Sequence, residues 1–310
     1  MGRNNGRIRK ILIIINCILT ISLLFLVYRK MQEVGENEKV LNKLEKEYAK
    51  LENDISAKEK DSDDIQKQID DLNNIEENIK TKQENVYKLA SQLEQKIRSG
   101  ETDKKIAYLT FDDGPYYNTY NVLGILREKH VKATFFTTSI NGEYCYDNKR
   151  ARCFDLYKEY LKYGHTIANH TYTHGIWKGL YSSTDSFMNA IVRQEDHIKE
   201  QTGGYITNIA RFPGGSSTAG RLKNSIIDRL RERGYGWVDW TAQNGDGGSM
   251  NDWNTGWRSF TNSIGDSIEV VLFHDYHRVT TNMLPNAIDY LRERNYILLP
   301  LFYDSVMINK

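Results

Sequence analysis

The stretch Thr110-Phe111-Asp112-Asp113-Gly114-Pro115 places two adjacent carboxylates at the end of an apolar run and directly before a Gly-Pro turn. The apolar run, residues 106–109, is typical of a buried β-strand. Because side chains alternate between the two faces of a strand, Asp112 and Asp113 are expected to point in different directions. One carboxylate could then bind a metal ion while the other stays free as a base, provided that nitrogen ligands come from elsewhere in the chain.

Residues 104–310 alternate between short apolar runs and helical patterns. This alternation predicts an α/β domain with a parallel sheet, either open or closed into a barrel. In such folds the reactive side chains gather at the carboxyl ends of the strands, where Asp112 and Asp113 lie. The predicted strands are Ile106–Phe111, Ala133–Thr138, Thr166–Asn169, Ile206–Arg211, Gly236–Ala242, Ile268–His274 and Tyr296–Leu299. The predicted helices are Val122–Lys129, Phe154–Lys162, Thr184–Thr202, Ser225–Arg233 and Met283–Arg294.

Two histidines follow another predicted strand end. His170 and His174 are four residues apart, and a helical turn after the strand would place both imidazoles on one face, a common spacing for one metal ion. With Asp113 they would form a site of two histidines and one carboxylate, which leaves coordination positions open for water and substrate. The His-x-x-x-His spacing alone is weak evidence, because two helical histidines are more often simply polar residues.

Three further groups at strand ends could complete a hydrolytic site. Arg211 precedes a Pro-Gly-Gly turn, and its guanidinium can keep a carboxylate ionised. The turn, which contains Gly214, can present backbone N–H groups to a developing oxyanion, although the same residues would also suit an ordinary loop. His274 ends the apolar run 270–273 and could serve as a general acid.

Taken together, these segments resemble the polysaccharide deacetylases of the NodB-homology type, carbohydrate esterase family 4, over about residues 104–305. Residues 110–115 match the first motif of that family almost letter for letter, and residues 170–174 match the second. Residues 211–215 are similar to the third motif, which usually reads Arg-Pro-Pro-Tyr-Gly, and residues 272–274 resemble the fifth. The resemblance implies a distorted (β/α) barrel with a divalent metal ion, usually zinc, with cobalt, manganese or nickel as alternatives.

The same resemblance assigns a role to each candidate residue. It implies a metal-dependent enzyme that hydrolyses the N-acetyl groups of a polysaccharide. The implied metal ligands are Asp113, His170 and His174, the base is Asp112, the residue that orients the base is Arg211, the acid is His274, the oxyanion donor is the Gly214 N–H, and the acetyl-methyl pocket is lined by Leu272.

The fourth motif of the family, usually an Asp-Trp pair, is the least clear in this chain. Asp239-Trp240 has the letters, but an ungapped match through residues 234–240 places the family's aspartate on Asp246. We therefore expect Asp246 to tune the acid His274, with Asp239 as the alternative.

Two glycines depart from the family pattern. Gly214 stands where the third motif usually has tyrosine, and Gly247 stands where the pocket tryptophan is expected. Trp240 or Trp253 would then fill the space beside the acyl group. The departures leave the choice of substrate open.

The amino-terminal residues predict a membrane anchor. Residues 11–28 form an apolar run that approaches the roughly 20 residues of a membrane-spanning helix. Basic residues in the tail 1–10 favour a cytoplasmic amino terminus. No small-residue cleavage pattern follows, so an uncleaved signal anchor is expected rather than a cleaved signal peptide. The catalytic domain would then lie outside a single-pass cell membrane, as in cells with a Gram-positive-type wall.

Residues 36–99 carry a heptad pattern that contains neither proline nor glycine. This pattern predicts a coiled-coil stalk through which two copies of the chain could form a homodimer. The alternatives are a single solvated helix or a hairpin that folds near residue 60, where Lys58 and Ser62 interrupt the apolar seams.

Cys145 and Cys153 lie eight residues apart and could form a disulfide in an exported domain. The expected location favours the N-acetylglucosamine of peptidoglycan as the substrate. Chitooligosaccharide, exported poly-N-acetylglucosamine and acetylated xylan are alternatives, and so is a membrane scaffold with a silent sugar-binding domain. The formal net charge of +1 gives no support for nucleic-acid binding.

Overall fold

The structure is a computed structural model that describes residues 19–22, 24, 38–139, 153, 155–205, 207–248, 250 and 252–302. Within these ranges, no helix combines the length and the apolar character that crossing a membrane requires. Residues 19–22 and 24 are helical, and the rest of the predicted anchor lies outside the described residues.

The chain divides into two compact units, Met1–Glu84 and Asn85–Lys310. Helix α1 spans Glu38–Arg98 without interruption, so the predicted helix is confirmed and the hairpin near residue 60 is wrong. Self-association of this helix stays a prediction. The second unit begins well before residue 104, the domain start expected from the sequence.

In the part of the chain that the structure describes, eight strands and six further α-helices follow α1. The strands are β1 Lys105–Asp112, β2 Thr134–Thr137, β3 Thr166–Asn169, β4 Ile209–Ala210, β5 Gly236–Trp237, β6 Ala242–Gln243, β7 Ile268–His274 and β8 Tyr296–Leu299. The helices are α2 Thr119–Glu128, α3 Asp155–Lys162, α4 Thr184–Thr202, α5 Lys223–Glu232, α6 Trp253–Ser263 and α7 Arg278–Glu293, with short 3-10 helices at Ile176–Lys178 and Ser216–Leu222.

The strands form one parallel sheet in the order β5-β4-β3-β2-β1-β7-β6. β1 pairs with β7 from Ile106 to Asp112, with β8 at its amino-terminal half and with β2 at its carboxyl end. The end strands β5 and β6 are not paired, and residues 238–241 join them. The parallel α/β fold is therefore confirmed. The sheet does not close into a complete barrel, because the end strands β5 and β6 do not pair; we call this gap the unpaired seam. The sequence had predicted these two short strands as a single one.

The two faces of β1 serve two different environments. Ala107, Leu109 and Phe111 face the helices, where Phe111 stacks on Phe135 at 5.1 Å between ring centroids. Each fully buried aromatic ring of this kind contributes about 1.5–3 kcal/mol. The opposite face changes from apolar to polar along the strand and ends at Asp112, which is buried. This change places a polar site at the carboxyl end of β1.

The end of α1 packs against the face of the sheet opposite to that covered by the other helices. Ala90 and Ile97 are buried in a cluster with Ile106 near the start of β1. Glu94 is fully buried and accepts a hydrogen bond from the Tyr108 hydroxyl. The last turns of α1 therefore belong to the core of the second unit.

Candidate active site

The two carboxylates of the opening motif lie at the carboxyl end of β1. Asp112 is the last strand residue, whereas Asp113 follows in a left-handed conformation with φ of 71°. His170 Nε2 is 3.6 Å from Asp112 Oδ2 and 3.6 Å from Asp113 Oδ1. The expectation that strand alternation would separate the two carboxylates is therefore wrong, because the left-handed turn directs both to one imidazole.

The structure brings three candidate metal ligands together: Asp113, His170 and His174. Asp113 Oδ1 lies 3.6 Å from His170 Nε2 and 3.4 Å from His174 Nε2. All three ligand atoms lie within 4.8 Å of one another. Tetrahedral bonds of about 2.0–2.1 Å separate neighbouring ligand atoms by about 3.4 Å, so these residues fit a zinc-sized cation.

The two histidines reach this arrangement without the expected helical turn. β3 ends at Asn169, and residues 170–175 form an irregular turn in which Thr171 and His174 have positive φ values of 67° and 47°. The His-x-x-x-His spacing was therefore a correct signal for proximity, but a loop and not a helix produces it.

His170 is oriented as a neutral ligand. Its Nδ1–H donates to the Arg211 carbonyl oxygen at 2.9 Å, which leaves the Nε2 lone pair facing Asp113. Burial, reinforced by the neighbouring charge of His174, lowers the pKa of His170 to about 3. A neutral imidazole whose other nitrogen is fixed by a carbonyl is the form that binds metal ions.

Arg211 follows β4 and reaches the segment 238–241 that joins β5 and β6. It is fully buried, and Nη1 donates to both Asp112 Oδ1 and Thr110 Oγ1 at 2.8 Å. Nε donates to the Val238 carbonyl at 3.1 Å, and Nη2 donates to the Asp239 carbonyl at 3.0 Å. Burial raises the pKa of Asp112 above its ordinary value, and the Arg211 guanidinium opposes that increase. Arg211 therefore fixes Asp112 and satisfies two backbone carbonyls of the segment that joins β5 and β6.

His274 is the last residue of β7 and lies near Asp113 Oδ2, whereas His170 lies near Asp113 Oδ1. Its Nε2 is 3.9 Å from Asp113 Oδ2, and its Nδ1 donates to Asp246 Oδ1 at 2.7 Å. Asp246 Oδ2 also accepts from the His274 backbone N–H at 2.8 Å and from Thr280 Oγ1 at 2.6 Å. Burial opposes the charged imidazole, but the hydrogen bond and charge of Asp246 prevail and raise the pKa of His274 to about 9.

Asp239, the alternative for the fourth motif, has a different environment. Its Oδ1 accepts from the Ser216 backbone N–H at 2.9 Å, and its Oδ2 accepts from Ser216 Oγ at 2.6 Å. Trp240 packs beside the same turn, where a Cβ on Gly215 would lie 3.1 Å from Trp240 Cη2. The structure thus places Asp239 and Trp240 against the glycine turn and Asp246 against His274.

The two glycines that depart from the family pattern, Gly214 and Gly247, are each favoured for a different physical reason. Gly214 has φ of 74°, and a Cβ there would lie 3.0 Å from Thr218 Oγ1, so a side chain would be strained and crowded. A Cβ on Gly247 would lie 2.7 Å from His274 Cε1, closer than real atoms approach. His274 therefore occupies the space in which a side chain at position 247 would begin.

Leu272 lies two residues before His274 on β7 and is buried. Strand alternation places it on the same face as His274. Cys153 is disulfide-bonded, and the predicted partner Cys145 lies outside the described residues.

Sequence reasoning missed the residues that support the catalytic candidates. Asp275 accepts a hydrogen bond from Thr119 and lies so close to Gly114 that a Cβ there would be 2.6 Å from its Oδ2. Burial raises the pKa of Asp275 to about 7. Thr280 binds Asp246 from helix α7. A threonine in a helix carries no signal of such a contact, whereas Asp275 directly follows a motif residue and could have been considered.

Comparison with known proteins identifies the family. A family model described as polysaccharide deacetylase matches residues 99–235. YheN of Bacillus subtilis, named as a polysaccharide deacetylase, is 31% identical over 220 residues, which cover 67% of this chain and 70% of YheN. This chain belongs to the polysaccharide deacetylase family. The resemblance stated from the motifs is confirmed, and the deacetylase domain carries the candidate site described above.

Two further proteins that are similar to this chain are named as peptidoglycan N-acetylglucosamine deacetylases. A peptidoglycan-N-acetylglucosamine deacetylase of Bacillus cereus is 28% identical over 234 residues, which cover 68% of this chain and 77% of the relative. The crystal structure of the catalytic domain of a peptidoglycan N-acetylglucosamine deacetylase from Eubacterium rectale superposes with a TM-score of 0.60 at 29% identity. That similarity covers 67% of this chain and 93% of the crystallised chain.

Proposed function

We propose that this deacetylase hydrolyses N-acetyl groups of an extracellular N-acetylglucosamine polysaccharide, peptidoglycan first among the candidates, in a metal-dependent reaction. The observation that carries the proposal is the arrangement of two proton-transfer groups around Asp113. Asp112 with Arg211 lies on one side, and His274 with Asp246 lies on the other. Opposed base and acid are what amide hydrolysis requires, since water must lose a proton and the amine must gain one.

Asp113, His170 and His174 would hold the metal ion. A bound divalent cation supplies a Lewis acid that polarises the acetyl carbonyl and acidifies water at the site. Zinc suits two imidazoles and one carboxylate, whereas cobalt, manganese and nickel remain to be compared by measurement.

Asp112 is the proposed base. It accepts a proton from the water that attacks the acetyl carbonyl carbon, which forms a tetrahedral intermediate. Arg211 holds the Asp112 carboxylate in place through Nη1. A pKa raised by burial makes this carboxylate a better proton acceptor than an exposed aspartate. The Gly214 N–H is the proposed hydrogen-bond donor to the oxyanion.

His274 is the proposed acid. Because Asp246 raises its pKa to about 9, the imidazole is protonated at neutral pH and can give its proton to the leaving nitrogen. The C–N bond then breaks, and the products are acetate and a free amine on the sugar. Leu272, on the same face of β7, is proposed to contact the acetyl methyl group.

The names of the relatives support peptidoglycan as the substrate. The predicted anchor over residues 11–28 and the long helix α1 support a location at the outer face of a cell membrane. Chitooligosaccharide, exported poly-N-acetylglucosamine and acetylated xylan are the competing substrates.

The test is acetate release from purified peptidoglycan and from N-acetylglucosamine oligomers by the full chain. Asp112→Asn should reduce kcat by about 100-fold or more while metal content stays unchanged, because a positioned base contributes about 10²–10⁴-fold. Asp289→Asn, whose side chain is half exposed, is the matched control and should retain full activity. Near-normal acetate release by Asp112→Asn would refute the assignment of the base.

Removal of metal gives an independent check. Dialysis against a chelator should abolish acetate release, and added zinc should restore it. Metal-free protein that keeps full activity would refute the metal-dependent reaction.

A further inference from the structure

Trp177 is the most exposed large apolar side chain among the described residues, at 96% of its maximum. It lies three residues after the candidate metal ligand His174, in the 3-10 helix Ile176–Lys178. Successive Cα atoms are about 3.8 Å apart, so the Trp177 Cα is within about 11 Å of the His174 Cα. A large indole ring displayed to solvent beside a catalytic centre requires an explanation.

The segment that carries Trp177 is fixed to the site at both ends. The Ile176 N–H donates to the His174 carbonyl at 2.8 Å, and the Leu180 N–H donates to the Gly175 carbonyl at 3.1 Å. Further along, the Tyr181 hydroxyl donates to the Pro213 carbonyl at 2.8 Å. The indole therefore projects from an anchored turn.

The turn also contacts the proposed oxyanion donor. A Cβ on Gly214 would lie 3.2 Å from Ile176 Cδ1, so the residue before Trp177 packs beside the glycine turn. Trp177 thus directly follows a residue that packs against the Gly214 turn, and it lies three residues after the metal-ligand candidate His174. This position is within reach of the neighbouring sugar rings of a polymer whose acetyl group enters the site.

We propose that Trp177 is a stacking platform for a sugar ring of the polysaccharide, outside the ring that is deacetylated. This inference rests on the proposed function. An indole offers a large, rigid apolar face and loses little conformational entropy on binding. The C–H face of a pyranose ring is apolar while its hydroxyl groups stay in water, so a fully exposed indole suits a carbohydrate better than it suits a desolvated protein pocket.

The test compares a long and a short oligomer of β-1,4-linked N-acetylglucosamine. In Trp177→Ala, the ratio of kcat/KM for the hexamer to kcat/KM for the disaccharide should fall by about tenfold, in line with the energy of an aromatic contact. Trp177→Tyr keeps an aromatic face and should recover most of this ratio. Leu89→Ala removes another exposed apolar side chain, from the end of the domain opposite the site, and should leave the ratio unchanged.

Direct binding separates this inference from the proposed function. Calorimetry in the Asp112→Asn background should show hexamer affinity about tenfold lower when Trp177→Ala is added. Binding that depends on Trp177 without acetate release in the parent chain would support the platform and refute the deacetylase reaction. Equal hexamer affinity and equal hexamer-to-disaccharide ratios with and without Trp177 would overturn the platform.

Discussion

Two neighbouring residues determine the position of His274: Asp246 binds it, and Gly247 leaves space for its ring. Asp246 accepts hydrogen bonds from both the ring and the backbone of His274. Gly247 has no side chain at the place where the ring lies. At the scale of single residues, the geometry of the proposed acid therefore depends on two consecutive positions of one loop.

Gly247→Ala should displace the His274 ring. An added Cβ 2.7 Å from Cε1 forces the imidazole away from Asp246, so we expect kcat to fall by about 100-fold or more. Gly248→Ala is the matched control, because a Cβ there meets its nearest atom only at 3.6 Å. Thermal unfolding measured in parallel should show that both variants fold. Equal activity of the two variants would contradict this account of position 247.

Asp246→Asn should shift the pH dependence of the reaction. His274 must be protonated to act as the acid, so activity is present below its pKa of about 9 and is lost as pH rises through that value. Without the Asp246 carboxylate, burial is opposed only by the nearby charges of Asp113 and Asp112, so the pKa of His274 falls. The alkaline limb of kcat/KM should therefore move to lower pH by about 1–3 units, the usual effect of losing a close opposite charge. An alkaline limb that does not move would show that another group sets it.

At the scale of elements, the last turns of helix α1 pack against the sheet of their own chain and not against a second helix. The heptad seam predicted from the sequence includes Ala90, Leu93 and Ile97. In the structure these residues pack against the sheet of the same chain, beside Ile106 at the start of β1. A coiled coil with a second copy can therefore use only the earlier heptads, and a deacetylase fragment needs residues from about 85 onward.

Ile97→Ala should destabilise the deacetylase domain by about 2–4 kcal/mol, because Ile97 is 8% exposed and its truncation leaves a cavity. Leu89→Ala, on the same helix but 65% exposed, should cost less than about 0.5 kcal/mol. Urea unfolding followed by tryptophan fluorescence reports on this domain alone, because all five tryptophans lie beyond residue 176. Equal midpoints for the two variants would mean that α1 does not contribute to the domain core.

At the scale of the whole molecule, we expect the first unit to carry the predicted self-association. Ile65, on the predicted seam, is 42% exposed in the single chain, as expected of a side chain that a partner helix would cover. We expect the full chain to sediment as a dimer and residues 85–310 to sediment as a monomer.

Charges on the seam provide the variant test of this dimer. Leu51→Glu combined with Ile55→Glu should convert the full chain to a monomer, because like charges would face each other across the interface. The same substitutions at Asn53 and Ser56, outside the seam and exposed, are the matched control. A dimer that survives the seam substitutions would exclude this interface.

Local patterns were sufficient for much of the fold. β3, β7, β8 and α4 have the same bounds in the structure as in the sequence-based prediction. Helix α6 was missed because its sequence is rich in asparagine, threonine and serine, which favour helices weakly. Packing stabilises it instead: Trp257 and Phe260 both contact the Tyr290 ring.

The sequence by itself determined the parallel α/β fold, the long helix and the set of chemically reactive residues, because hydrophobic period and motif spacing are local properties. Tertiary structure alone decided how those residues meet. The left-handed turn at Asp113 brought both carboxylates to His170, and the unpaired seam gave Arg211 its carbonyl acceptors. The motif alignment already favoured Asp246 over Asp239 as the partner of His274, but only the tertiary structure supplies the contact, while Asp239 binds Ser216 instead. Contacts between residues distant in sequence depend on the path of the chain, which local patterns do not encode.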